Sequence, residues 1–474
     1  MENEKNKIIK AGMGYIVGNY FLKGLTFFTI PIFSRLLSVS EYGIYSTYVS
    51  YESILVLFMG LGVSYSFKNA KYKYGKQFDK YVSSLIFLIC LNAVILCASL
   101  RLLFPLYSGR LGLDKGIIYI LLVHSLCNVF LTFYNSYIGL EYKFKSYILI
   151  ALINAVINTV VSVGMILILP SGYKYFGRIA GTIFPLIFIG IYILAVFMRT
   201  EKPCYEKEYW KYALDYGLPM IPHGLSIVIL TQFDRIMIHN MTGAKEAGIY
   251  SFAYNIYMII SVTASSLDNV WGPWFFSKME SKHYEEIRRG IYVYTICMAV
   301  FSGVVILISP ELIWVLGGSD YKDAIYCVMP IVAGGFFAYL YTIPVQIEYY
   351  KEKTKFIALA SGTAAILNVI LNMIFISKFG YIAASYTTLF TYFLYFLFHW
   401  RIGTRLLGIA EKNAISSASL MIVSFMVLFF CFLGLIFKER FLIRWCVGAA
   451  IFGVTCYKFK LTRFIKYRFF SEGS

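Results

Sequence analysis

Charge is scarce in this chain. Asp, Glu, Lys and Arg make up 14% of 474 residues while 59% are hydrophobic, and the mean hydropathy is +0.69. Soluble domains carry nearer a quarter charged residues, so a water-soluble fold is excluded. Long polar stretches are missing too: apolar runs of about 20 residues follow one another almost end to end, the length that spans a bilayer as a helix. No room is left for a sizeable extramembrane domain, which argues against many enzymes. The nine cysteines form no C-x-x-C and no metal-ligand spacing, and all but Cys204 fall inside apolar runs, where they serve as small hydrophobes. No nucleotide-binding motif or nucleophile arrangement is visible, so neither a cofactor nor catalysis is expected. The short outer loops speak against a polysaccharide polymerase or polyprenyl-dependent glycosyltransferase. A signal-peptide pattern is also lacking: the first apolar run is too long, follows Lys5, Lys7 and Lys10, and offers no small-residue cleavage site, so it is expected to stay as the first span.

What is present is a polytopic, all-α membrane protein. Apolar runs predict about fourteen helices, near residues 11–34, 42–66, 80–106, 116–140, 146–169, 176–198, 212–236, 247–277, 289–309, 324–349, 355–377, 380–400, 413–437 and 441–457. The net charge of +18 resides in the polar gaps. With the N-terminus in the cytoplasm, 29 of the 43 Lys and Arg lie at cytoplasmic ends and 11 at the opposite side, the bias of the positive-inside rule. An even number of spans returns the C-terminus to the cytoplasm. These cations suit anionic lipid headgroups, and no continuous basic patch exists for nucleic acid.

Two halves of the sequence repeat. Arg35 followed by Glu41-Tyr-Gly-Ile-Tyr-Ser46 recurs as Arg235 followed by Glu246-Ala-Gly-Ile-Tyr-Ser251. Lys145 with Asn158 recurs as Lys355 with Asn368, and Phe176-Gly-Arg-Ile-Ala180 as Phe379-Gly-Tyr-Ile-Ala383. The chain therefore divides into a six-helix bundle at 1–205, a second at 206–405, and an extra helix pair with a basic tail at 406–474. Six is even, so both bundles enter the membrane in the same sense and their pseudo-twofold axis runs along the membrane normal. Parallel halves of this kind suit a transporter.

Asp234-Arg235, Gly248-Ile-Tyr-Ser251, Lys353-Thr-Lys355, Asn368, Asn372 and Lys378-Phe-Gly-Tyr-Ile-Ala-Ala384 together resemble the polysaccharide biosynthesis branch of the multidrug/oligosaccharidyl-lipid/polysaccharide exporter superfamily. The O-antigen and capsule-repeat flippases are its best-known members. Tyr381 and Ala384 stand where glycine or another small residue is common, a change that bears on packing more than on function. The resemblance implies a bacterial inner-membrane flippase that moves an undecaprenyl-diphosphate-linked oligosaccharide from the cytoplasmic to the outer leaflet. It also implies membrane lipids, H+ or Na+, and the polysaccharide polymerase and chain-length machinery as partners. A cation-coupled multidrug exporter of the same superfamily is the alternative.

Ionisable side chains at membrane depth cost about 2.5–3.5 kcal/mol even on lenient scales, so each needs a reason. Lys23 sits mid-span and is expected to face a cavity, with His223 its repeat counterpart, or else to pair with Glu52. Pro219 and Pro222 flank His223 and are expected to loosen that helix. Lys23, His223, Arg35 and Arg235 are the candidates for holding an anionic headgroup. Glu52, His124, Asp234 and Asp268 are the candidates for ion coupling or gating, although Asp268 lies in an aromatic belt with Trp271 and Trp274, and Asp234-Arg235 also suits a structural latch. His223, Ser226, Leu230 and Asp234 fall on one helical face. Arg101 is placed to snorkel to phosphates. Asn158 with Ser162, and Asn368 with Asn372, are spaced to hydrogen-bond between helices.

Overall fold

The computed structural model describes residues 27–107 and 115–459, together with Gly14, Gly18, Phe21, Leu22, Gly24 and Leu25 in the first helix. Lys23 lies outside the described residues. Every regular element among those described is a helix, as a chain surrounded by lipid requires, because a helix satisfies its backbone groups within the segment. The spans appear as α1 (Phe27–Leu36), α2 (Val39–Gly60), α4 (Phe78–Tyr107), α5 (Lys115–Leu140), α6 (Phe144–Ile168) and α7 (Lys174–Thr200). They continue as α11 (Ala244–Glu280), α12 (Tyr284–Leu307), α16 (Lys355–Phe379), α17 (Ile382–Leu406), α18 (Ser417–Ile436) and α19 (Phe441–Phe459).

Three stretches differ from uninterrupted spans. Leu61 and Gly62 take left-handed backbone angles, φ 50° and 63°, and end α2. A tight turn and the basic helix α3 (Phe67–Tyr74) follow, which bury Phe67 and Ala70 and leave the lysines outside. The expected span 212–236 is broken, as Pro219 and Pro222 suggest. It consists of α8 (Lys207–Gly217), α9 (Met220–Val228), a π-turn at Ile229–Phe233 and α10 (Asp234–Met241), with a 46° bend after Gly217. The expected span 324–349 is divided at Tyr341 into α14 (Ile325–Leu340) and α15 (Thr342–Tyr350), and α13 (Ser309–Gly317) starts on Pro310 after α12.

Among the described residues nine helices are long and apolar enough to cross a bilayer, or ten with the bent pair counted as one span. α1 and the described apolar part of α19 are shorter, while α2 and α17 are long enough but less apolar. The shortfall in α2 and α17 has a physical cause: their polar residues point inward. α2 buries Glu41, Thr47, Ser50 and Glu52, and α17 buries Ser385, Thr387, Thr388, Thr391 and His399.

The chain forms two compact units, residues 1–251 and 252–474. In the first, α8 to α10 pack on α2 and α4, so residues 206–251, which the repeat groups with the second half, fold against the first. α6 lies along α7, and α5 sits between α2 and α7. An apolar core of Met59, Phe67, Tyr81, Leu85, Phe133 and Ile193 joins α2, α3, α4, α5 and α7. In the second unit α14 is buried along nearly its whole length and packs on α17, α12 and α18.

α2 is fixed at both ends by backbone crossings that only glycine permits. A Cβ on Gly43 would fall 1.8 Å from the carbonyl oxygen of Ala244, and one on Gly248 would fall 2.0 Å from that of Val39. These contacts are reciprocal: Gly43 and Gly248 are the glycines of the repeated motif, and Val39 stands to Gly43 as Ala244 to Gly248. Two copies of one segment thus meet through the same surface, the pattern of a local twofold axis. At the other end, a Cβ on Gly217 would lie 2.3 Å from the oxygen of Leu61. In the second unit Arg444 of α19 is buried and grips Glu311 of α13 through two nitrogens, one of them at 2.9 Å from Oε2 and the other at 2.6 Å from Oε1, while also donating to carbonyls of Leu307 and Phe437.

Two outcomes follow for stability in detergent, read as the thermal midpoint. Gly43→Ala forces two backbones apart and costs about 3 kcal/mol, whereas Gly164→Ala, in open space on α6, does not lower the midpoint and raises it by the helix preference of alanine. Glu311→Leu strands the Arg444 guanidinium and costs about 3 kcal/mol, and adding Arg444→Met restores most of the loss.

Candidate functional site

α2 presents two polar rows to two neighbours in the first unit. Residues four apart lie one above the other on a helix, so Tyr48 and Glu52 share a face, and this face meets α5. The Tyr48 hydroxyl lies 2.9 Å from His124 Nδ1 with the rings stacked at 5.6 Å, and Asn128 Nδ2 donates to Glu52 Oε1 at 2.7 Å. All of Tyr48, Glu52 and His124 are buried. The pairs 48 with 124 and 52 with 128 advance together, so α2 and α5 run in the same direction. The second row, Thr47 and Ser50, meets the broken helix. Thr47 Oγ1 is 3.2 Å from His239 Nδ1, and Ser50 donates to Gln232 Oε1 at 3.5 Å. Here the numbers run in opposite senses, as they must between antiparallel helices.

The broken helix gathers the remaining charge. Asp234 and Arg235 are both buried at the start of α10. Tyr250 donates to Asp234 at 2.5 Å, while Arg235 donates to the Thr231 carbonyl at 2.6 Å and to Gln232 Oε1 at 2.7 Å. The π-turn helps to set this arrangement. Its wider turn keeps Ser226, Leu230 and Asp234, spaced by four, on one buried face where an α-helix would let them drift. π-turns concentrate at functional sites. His223 stands half-buried on α9.

A second cation, which the sequence reading did not single out, is Arg178 on α7. Its guanidinium donates to Asn158 Oδ1, to Ser162 Oγ at 2.8 Å and to Thr182 Oγ1 at 3.4 Å, and lies 3.8 Å from the Phe33 ring and 4.8 Å from that of Tyr45. Among the described residues it joins no carboxylate in an ion pair. Every partner among the described residues is neutral, so the guanidinium is held in place with no carboxylate paired to it. The repeat held the clue, since Arg178 is aligned with Tyr381. The corresponding helices of the second unit, α16 and α17, carry a wholly uncharged version, in which Asn368 donates to Thr388 at 3.5 Å and Asn372 to Asn368 at 3.2 Å.

The other sequence candidates lie apart from this cluster. Arg35 is exposed at the end of α1, unlike its repeat counterpart Arg235. Arg101 is exposed and reaches the Tyr119 hydroxyl at 3.1 Å. Asp268 belongs to the second unit, half-buried, with Gln346 donating to it at 3.4 Å, and Trp271 and Trp274 stand beside it 5.1 Å apart. Among the described residues no group of His, Cys, Asp and Glu is arranged to hold a metal ion.

An all-helical, multi-pass fold with buried polar rows defines the class, that of polytopic membrane proteins. A solved lipid II flippase MurJ, in an inward closed conformation, matches with a TM-score of 0.74 over 94% of this chain and 98% of its own, at 17% identity. An inward-facing multidrug resistance MATE family transporter matches with a TM-score of 0.59 over 80% and 94%, at 16% identity. An uncharacterized membrane protein of Haemophilus influenzae is 22% identical over 386 residues, covering 79% of this chain and 90% of that one. The chain belongs to the polysaccharide biosynthesis protein family, whose model matches residues 9–279.

The Glu52–Asn128 contact has a measurable consequence. Asn128→Leu removes the donor and leaves a buried carboxyl oxygen unmet, a loss of about 1–3 kcal/mol. The double variant with Glu52→Met recovers much of it, and a double-mutant cycle on thermal midpoints reads the coupling.

Proposed function

We propose that this protein is a flippase that carries a polyprenyl-diphosphate-linked oligosaccharide repeat unit from the cytoplasmic to the outer leaflet by alternating access, without an enzymatic step, for surface polysaccharide assembly. The observation that carries the reading is Arg178, a guanidinium whose partners among the described residues are all neutral. A cation so held keeps its charge available to a mobile anion, and a planar guanidinium suits phosphate oxygens. Arg235 on the bent helix adds a second cation. The family match over residues 9–279 and the fold shared with a lipid II flippase support a lipid-linked glycan over a cationic drug.

On this reading the protein sits in the bacterial inner membrane with both termini in the cytoplasm. The sugar headgroup crosses through the polar interior, and the polyprenyl tail stays in lipid. An inside-negative potential drives anions outward by about 2.3 kcal/mol per charge per 100 mV, so a diphosphate with two charges gains roughly twice that. H+ or Na+ is a further driving partner, and the polysaccharide polymerase and chain-length machinery receive the product.

The test uses proteoliposomes loaded in the inner leaflet with a defined undecaprenyl-diphosphate oligosaccharide and follows its exposure to an impermeant glycosidase. Protein-dependent exposure rises with an inside-negative potential. Arg178→Gln slows it at least about tenfold, the effect of losing a charge-assisted contact worth about 1.5–3 kcal/mol, and Arg178→Lys restores only part because a point charge cannot reproduce the fork. Efflux of cationic dyes with no glycolipid exposed would transfer the assignment to a drug exporter.

A further inference from the structure

The second unit contains a titratable pair that the sequence reading passed over. Glu348 lies near the end of α15 and His399 lies within α17, both fully buried, with His399 Nδ1 2.7 Å from Glu348 Oε1. The other atom of each group, Glu348 Oε2 and His399 Nε2, meets no hydrogen-bond partner among the described residues. Buried polar atoms in proteins are nearly always satisfied, and here two orphans belong to a single bonded pair.

The surroundings leave the pair to itself. Tyr341 stacks on the His399 ring at 5.7 Å, Tyr395 meets it edge-on at 4.6 Å and Phe398 at 5.6 Å. Tyr395 on α17 and Tyr349 on its own helix feel the charge of Glu348, while Asp268 of α11 acts on Tyr341 and Tyr349. The basic residues in the neighbouring chain are engaged or outside. Lys351 pairs with Glu411 at 2.8 Å across the adjoining loops, while Lys353, Lys355, Arg401 and Arg405 are exposed. No lysine or arginine of the described residues forms an ion pair with Glu348.

We propose that Glu348 and His399 form a proton-binding site, which exchanges one proton with water at the membrane face where α15 ends in one conformation and with water of the opposite face in the other, and so couples proton movement to transport. With one proton the pair is neutral, either as carboxylate and imidazolium or as carboxylic acid and imidazole, and the proton passes along the 2.7 Å bond. A second proton leaves net charge +1 and the loss of the only one leaves −1. Either charge is unfavourable among aromatic rings, so the occluded pair keeps a single proton. Water reaching the orphan atoms Oε2 and Nε2 removes that constraint, and the proton exchanges when α15 and α17 open at this end. Glu348 lies two residues from the end of α15, so a short opening suffices. On the expected orientation this end faces the cytoplasm.

The coupling to transport rests on the flippase reading, while the proton site itself does not, and the experiment separates them. Infrared difference spectra of the purified protein in lipid nanodiscs, recorded between acid and neutral pH without substrate, contain a titrating carboxylic acid band. Glu348→Gln removes it and His399→Gln shifts its frequency. In proteoliposomes, a pH gradient of one unit changes the glycolipid distribution by about tenfold for one coupled proton, and Glu348→Gln abolishes that response while the potential-driven part persists. Identical spectra for wild type and Glu348→Gln overturn the proton site. A titrating band with an unaltered gradient response in Glu348→Gln overturns the coupling. No glycolipid exposure by wild type fails the flippase reading and leaves the spectra to judge the site. Where Glu348→Gln does not fold, an unshifted band in His399→Gln overturns the site just as well.

Discussion

The close crossing of two backbones at Gly43 and Gly248 places α2, and α2 places nearly everything else in the first unit. Nothing in lipid pushes helices together as water does, so contact is won by small residues that let backbones approach. With its two ends fixed by the glycines at 43 and 217, α2 has one rotation about its own axis. That rotation aims Tyr48 and Glu52 at α5 and Thr47 and Ser50 at the broken helix. A helix held less tightly could turn its polar rows toward lipid, where each group would go unmet.

The same constraint explains which parts of the architecture were legible. Long apolar runs declared most spans to within a few residues, because a lipid-facing helix has to be apolar over a fixed length. The repeat was legible as well, and its glycine proved to be the point at which the two motif copies meet. What hydropathy conveys poorly is the interior. α2 and α17 look less like spans than their neighbours because they face protein, and they carry the groups on which chemistry depends. Pro219 and Pro222 announced a loosened helix, but the π-turn at Ile229–Phe233 left no mark in the residue types.

The candidate site was only partly visible for a related reason. Glu52, His124, Asp234 and Arg235 are conspicuous as ionisable groups in apolar sequence, and the first unit does gather them. Their partners Tyr48, Asn128 and Gln232 are ordinary residue types, and only tertiary packing selects them. Arg178 escaped because it stands four residues into its helix, where an arginine reads as an interfacial anchor. Glu348 and His399 are 51 positions apart, and no local spacing joins them.

The π-turn has a mechanical meaning. It holds more residues per turn than the α-helix on either side of it, and such a surplus can travel along a helix without breaking it. If the turn relaxed to α-geometry while α9 stayed in place, every residue beyond would shift by one helical step, about 1.5 Å along the axis and 100° around it. Asp234 and His239 would then leave Tyr250 and Thr47 together. The bent helix thus stores one surplus peptide unit, and the present aim of Asp234 at Tyr250 depends on its staying where it is.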